Sequence, residues 1–413
     1  MTLSTKKPEY IIPAYSLTGD LLAFLTCGLQ YRYYNKGKLP PSTPVQLWFG
    51  SFIHAVMEEA YLMWREGGWK HFPWEWQHKL REIELKIDKR LNVEHMYAPP
   101  NLFCIFDGPE KVLRRGCPDT KHPHKLLASQ RADLAINTWG KHLFPLISEA
   151  EVKLQGLKKM PAVTSRKSRS DYYEMTGVVD VLGSVNLQDP ENSGNLILHY
   201  LQDLQSISSE DFEIIVDYKG MRRPAVDSYE WKWHEWQILT YAHLRQLQEA
   251  AQPVVAGILL YLNELAPSKR DMDDLRRELA RDKTDVVPKY DIDRATIERL
   301  KKPSMPNTGT EEDPAPAQEL STTYRAQRSI RVIPVTTENI NRSLNEFNDV
   351  VKNIEGCVAD EIHGQAIIET WKGHGKPSAR RCGACDFKTV CPVLRAAMEK
   401  AEVKGVATAP TAP

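Results

Sequence analysis

The sequence predicts an α/β protein, and three observations carry that reading. Residues 148–155, 172–187 and 212–220 are dominated by β-formers and separated by polar segments. A long aromatic-rich helical stretch at 229–250 is followed by a strand-like run at 253–265, and an apolar stripe of helical period at 53–64 precedes all of these. The order is helix, three strands, helix, strand, which describes a sheet with helices packed on it.

Residues 17–34 read as helix and end near Gly37 and Pro40. A second helix starts after Pro44, where Ile53, Val56, Met57, Ala60, Tyr61 and Trp64 form one buried stripe with His54 beside it. Residues 69–131 mix helix with a long loop at 99–123. Beyond the strand at 253, residues 266–320 break the regularity with charge runs and prolines, and 303–320 reads as disordered. The segment 328–335 resumes as a strand. A helix follows from 336, with Thr336 or Thr337 as its N-cap. The expected organisation is an N-terminal helical arm at 1–145, a core at 146–265, a partly disordered insertion at 266–330, a C-terminal strand, helix and cysteine segment at 331–403, and a disordered tail at 404–413.

A chain of 413 residues exceeds the roughly 250–300 at which one core stops growing, so one elaborated domain or two modest ones are both open. Fifty-four basic and 54 acidic side chains cancel, which leaves only local patches to attract a polyanion. No apolar run approaches the ~18 residues of a membrane span, and the start lacks an apolar signal region. The expectation is a soluble cytoplasmic protein with no membrane partner. Seven cysteines suit reduced thiols or a metal site better than a disulfide framework.

Strand alternation sends Asp217 and Lys219 of Asp217-Tyr218-Lys219 to one face. Asp180 lies on the preceding strand, and Glu149 and Glu151 on the one before it. Acids converging from neighbouring strands could hold Mg2+ or Mn2+ for phosphodiester hydrolysis, with a lysine orienting water or offsetting charge. Taken alone, the tripeptide far more often describes a strand-end salt bridge with two surface charges.

The combination resembles the RecB-type branch of the PD-(D/E)XK nuclease superfamily over most of the chain outside the insertions. The Phe49-Gly50-Ser51-Phe52-Ile53-His54 run, Gly177-Val178-Val179-Asp180, the Asp217-Tyr218-Lys219 strand and Gln237-x3-Tyr241 each match a motif of that branch. The resemblance implies a restriction-endonuclease-like core, a mixed central sheet flanked by helices. It also implies catalytic Asp180, Asp217, Lys219, Glu151, Gln237 and Tyr241, and a metal shell of His54, Asp180, Asp217 and Tyr218. Glu151 fits the upstream acid better than Glu149. Without the other motifs, His54 would read as a core-edge histidine, and Gln237 with Tyr241 as a packing pair one helical turn apart. Trp231, Trp233 and Trp236 could stack bases, but aromatic residues on such a helix are more often core.

Cys382, Cys385 and Cys391 have C-x2-C-x5-C spacing, which lets three thiolates converge on one centre. Iron–sulfur members of the branch, AddB-like and CRISPR-adaptation-exonuclease-like, carry one further cysteine near the N-terminus. The resemblance therefore implies Cys27 as fourth ligand of a 4Fe-4S cluster joining helical N- and C-terminal arms. Zinc suits four thiolates as well, although paired CxxC knuckles are absent. Cys117 with His122 and His124 is a weaker metal candidate, and Cys104 and Cys357 read as buried thiols.

Basic residues cluster at 153–169 (Lys153, Lys158, Lys159, Arg166, Lys167, Arg169) and around the cysteine trio (Lys372, Lys376, Arg380, Arg381, Lys388), either as a path for a phosphate backbone or as solvated loops. No P-loop occurs, so any unwinding falls to a partner. The resemblance implies a DNA nuclease, an exonuclease on single strands or ends beside a helicase or integrase, in repair, recombination or antiviral defence. The alternative is a catalytically silent, nucleic-acid-binding or assembly subunit on a nuclease-like scaffold.

Overall fold

The computed structural model describes residues 12–37, 45–96, 123–162, 168–301, 320–375 and 382–394, apart from isolated positions within them. The chain forms two compact units, one of residues 43–154 and 178–340, the other of 1–42, 155–177 and 341–413.

The larger unit contains helices α3 (Val45–Arg65), α4 (Arg81–Val93) and α5 (Pro123–Leu143), and parts of strands β2 (Ile147–Lys159) and β3 (Tyr172–Asn186). Helix α6 (Leu196–Leu201), strand β4 (Asp211–Lys219), helix α7 (Tyr229–Gln246) and strand β5 (Val254–Tyr261) follow. Helices α8 (Lys269–Leu279), α9 (Asp291–Lys301) and α10 (Thr322–Ser329) lead to strand β6 (Ile330–Pro334). The strand order is β3-β4-β5-β6, with β2 paired to β3. β3 and β4 are antiparallel (Val181 opposite Val216), β4 and β5 parallel (Val216 opposite Ile258), and β5 and β6 antiparallel (Ile258 opposite Val332).

All eight residues of β5 are buried, as expected of a central strand covered on both faces. On one face Ile214, Val216, Tyr218, Ile258 and Leu260 join a core with residues of α3 and α5, among them Phe52, Met57, Ile136 and Trp139. On the other face α7 packs so closely that a Cβ on Gly257 would stand 1.9 Å from Ile238 Cγ2. A mixed sheet flanked by helices results, consistent with a restriction-endonuclease-like fold.

The segment expected to be irregular at 266–301 instead forms α8 and α9. Ser268 and Asp271 close a capping box, and Met272, Leu275 and Leu279 meet Ile297, Leu300 and Tyr324 in a small core of their own. This apolar stripe was sparse enough among charges to hide its period. Helix α6 was also unanticipated; Asn195 caps it by accepting from the amides of Ile197 and Leu198. The stretch read as disordered at 303–320 lies outside the described residues except for Leu320, and so does the tail at 404–413.

In the smaller unit, strand β1 (Ala14–Ser16) runs parallel to the start of β3, Tyr15 opposite Met175. The helix expected at 17–34 is broken: α1 (Leu22–Thr26) and α2 (Gly28–Tyr31) are separated by Cys27, whose backbone is extended at φ −163. Most of helix α11 (Thr337–Ile362) and the short helix α12 (Ile367–Trp371) belong here. Thr336 caps α11, its hydroxyl accepting from the Asn339 amide at 3.2 Å. Phe24 and Tyr31 pack around the buried ring of Trp371. No described helix is long and apolar enough to cross a membrane.

Candidate functional site

Because even-numbered residues of β4 face the α3 side, Asp217 and Lys219 emerge on the face covered by α7. Asp217 is buried, with its Oδ2 2.7 Å from Lys219 Nζ. Lys219 donates to Gln237 Oε1 at 2.8 Å, and Gln237 Nε2 donates to Asp217 Oδ1 and to the Tyr241 hydroxyl, both at 3.1 Å. One turn of α7 thus sets Gln237 over the pair and Tyr241 behind it. Burial pushes the Asp217 carboxyl up, against the pull of the lysine. The ammonium is the partner of Oδ2, and Gln237 that of Oδ1.

Asp180, on β3, accepts from the Tyr218 amide at 2.9 Å and lies 3.3 Å from His54 Nδ1. Ligand atoms of His54, Glu151 and Asp180 all lie within 4.8 Å of one another. This is the one such group of histidine, cysteine or acidic side chains among the described residues. Burial would depress the His54 imidazole, but the Asp180 carboxylate holds its pKa up, to about 9. Burial, and then the charge of Asp180, raises that of Glu151. The converging carboxylates concentrate negative charge that a cation would offset, in competition with the proton on His54. Glu151 also has φ +53, a left-handed conformation that costs a non-glycine residue on the order of 1 kcal/mol.

Tyr218 turns its buried ring edge-on to His54, with centroids 5.8 Å apart, and burial keeps its phenol neutral. Its polar link to the site is the backbone amide. Glu149 stands apart, exposed on the side of Arg245. Trp236 is core, while Trp231 lies beneath the Arg331 guanidinium at 4.1 Å. Two neighbours escaped the sequence reading. Glu58 acts on Glu151 and sits one turn after His54 on α3, an i, i+4 spacing that could have exposed it. His234, bonded to the Tyr261 hydroxyl at 3.0 Å, is pushed down to about 3 by burial and by Lys219, and so faces the lysine as neutral imidazole.

In the smaller unit, the Gly28 amide donates to the His374 carbonyl at 3.0 Å, and a Cβ on Gly375 would come within 2.8 Å of Cys27 Cα. Rings of Tyr33 and Tyr34 flank Phe387 at 4.7 and 4.9 Å, and the Tyr34 hydroxyl donates to Asp386. Cys27, Cys382, Cys385 and Cys391 are free thiols of intermediate burial. Burial, and then the proximity of Cys27 and Cys391, raises the thiol of Cys382, and both cysteines act on Cys385 in the same direction. No three of these sulfurs fall within 4.8 Å of one another. Cys357 is buried, with its thiol toward the Thr370 carbonyl. Cys104, and Cys117 with His122, lie outside the described residues, as does the side chain of His124.

The basic stretches are partly committed to internal pairs. Arg169 is bound to Glu355 and Lys372 to Glu369. Arg166, Lys167, Lys376, Arg380 and Arg381 lie outside the described residues.

Residues 204–392 match the model of the PD-(D/E)XK nuclease superfamily, so this stretch carries a domain of that superfamily. The match takes in Asp217, Lys219, Gln237, Tyr241 and the cysteine trio, while Cys27, His54, Glu151 and Asp180 precede it. No curated protein matches the chain.

Proposed function

We propose that the protein is a metal-dependent deoxyribonuclease, acting as an exonuclease on single strands or DNA ends beside a helicase or integrase, in repair, recombination or defence. One observation carries the reading: a histidine and two acids from three elements converge beside a buried Asp–Lys pair in a chain that matches a nuclease superfamily. The donor set, carboxylate oxygens with one imidazole, suits Mn2+ and Mg2+. His54, Glu151, Asp180 and Asp217 would hold the ion, with Tyr218 contributing its backbone. When bound, the ion supplies a Lewis acid and makes a water nucleophilic at neutral pH.

The chain's own groups do the rest. Lys219 brings an ammonium to orient the water and to offset charge on the phosphate as the bond breaks. Gln237 fixes that ammonium, and Tyr241 fixes Gln237. Lys219→Gln keeps donors for Gln237 and removes the charge. It should cut the rate about 10²–10³-fold, while binding of the same DNA in EDTA is retained. Wild type that binds DNA but never shortens it with Mg2+ or Mn2+ would instead mark a silent scaffold.

A second part of the proposal is a 4Fe-4S cluster on Cys27, Cys382, Cys385 and Cys391. Support comes from four free thiols, of which Cys27 and Cys391 act on Cys382 and Cys385, and from the packing of Cys27 and Gly28 on residues 374–375 and of Tyr33 and Tyr34 on Phe387. The cluster's role would be structural, tying together segments more than 350 residues apart in sequence.

A further inference from the structure

The smaller unit has a cleft of roughly 240 Å³ lined by Arg32, Lys36 and Arg169, with Val358, Ile362 and Trp371 as its apolar wall. Two of the cations are anchored. Arg32 binds Glu361 through Nε and one amino group, and Arg169 binds Glu355 in the same way, at 2.7–3.2 Å. Among the described residues no hydrogen bond engages Nη1 of either, so each guanidinium is held rigid by one edge with a donor to spare. Lys36 differs. Its ammonium sits over the rings of Tyr15 and Tyr31, at 4.9 and 5.6 Å, and bonds to no carboxylate among the described residues. Asp20 acts on Lys36 from a distance, so the three cations and the acids Asp20, Glu355 and Glu361 balance; what the cleft offers an anion is three cationic groups with donors left over, two of them held in place.

We infer that this cleft binds a phosphate group carried on a nucleotide. Its volume falls below the ~300–1,000 Å³ of pockets for drug-sized ligands, which suits a phosphate with part of its nucleoside. The exposed Ile362 beside Val358 offers an apolar surface to the sugar or base. The inference extends the nuclease reading, since both a DNA strand and its cleavage products carry such phosphates. It assigns neither a cleavage role nor a metal to the cleft.

The test measures equilibrium binding in EDTA, first of a labelled single-stranded oligonucleotide over a range of salt, then of a deoxynucleoside monophosphate. Two variants are compared with wild type. Lys36→Gln removes the open charge. Ile362→Glu places a carboxylate at the mouth from an exposed position, so it leaves the fold intact even if loss of the Lys36–tyrosine contacts does not. If a strand phosphate occupies the cleft, both variants should bind the oligonucleotide roughly three- to tenfold more weakly, and Lys36→Gln should flatten the salt slope by about 0.7. If a free nucleotide is the occupant, only the monophosphate arm should weaken. Folded variants that bind both probes like wild type, or wild type that binds neither, would overturn the assignment. Metal-dependent cleavage by wild type is scored separately, so a silent active site and an empty cleft give different results.

Discussion

Glu151 holds a left-handed backbone conformation that glycine adopts freely, and it does so where its carboxylate meets His54 and Asp180. Glu151→Gly should therefore raise the stability of metal-free protein by about 1 kcal/mol in urea unfolding and weaken Mn2+ binding measured by calorimetry. Equal stability of the two proteins would remove the argument that strain is kept there for a ligand. His54 supplies a pH dependence of definite sign. Its folded pKa of about 9 lies above the unfolded value of 6.5, because Asp180 outweighs burial. In metal-free protein its contribution is complete below about pH 6.5 and fades as pH rises towards 9. The melting temperature in EDTA should fall across that window, less steeply in His54→Asn, while Mg2+ affinity rises as the competing proton leaves. At this scale, Asp217 and Lys219 were legible in the sequence because strand alternation is local. The role of Arg169 was not, since the partner that neutralises it is Glu355, 186 positions away.

Helix α7 carries Gln237 and Tyr241, and its distance from the sheet is set by a glycine. A methyl group at position 257 would collide with Ile238, the neighbour of Gln237. Gly257→Ala should destabilise the larger unit by about 1–3 kcal/mol and slow cleavage by shifting Gln237 off Lys219. Denaturation together with rate measurements at a temperature where the variant is folded would check both. Unchanged stability would mean that α7 can lift freely. The strands and α7 could be read from their apolar periods, and α3 from its stripe. The break at Cys27 could not, because Leu22–Thr26 and Gly28–Tyr31 are each helical and only the packing of residues 374–375 against Cys27 separates them. Helices α8 and α9 were hidden by charge that solvates their outer faces.

Across the whole chain, the proposal joins two chemistries in two units, and each can fail alone. Freshly isolated protein should be brown and contain about four irons per chain. Cys27→Ser should bleach the colour and lower the melting temperature, whereas Cys357→Ser, which alters a buried thiol turned to the Thr370 carbonyl, should keep the iron. Stoichiometric zinc without iron would refute the cluster and leave the carboxylate site standing. The central claim is hydrolysis at Asp217 and Lys219, and its most direct test is single-turnover cleavage of an end-labelled single strand with Mg2+ or Mn2+. The account predicts that wild type shortens the strand, that EDTA stops it, and that Asp217→Ala and Lys219→Gln, both folded and both still binding DNA, do not cut at a comparable rate. Cleavage by those variants at the wild-type rate, or none by wild type with either metal, would contradict it.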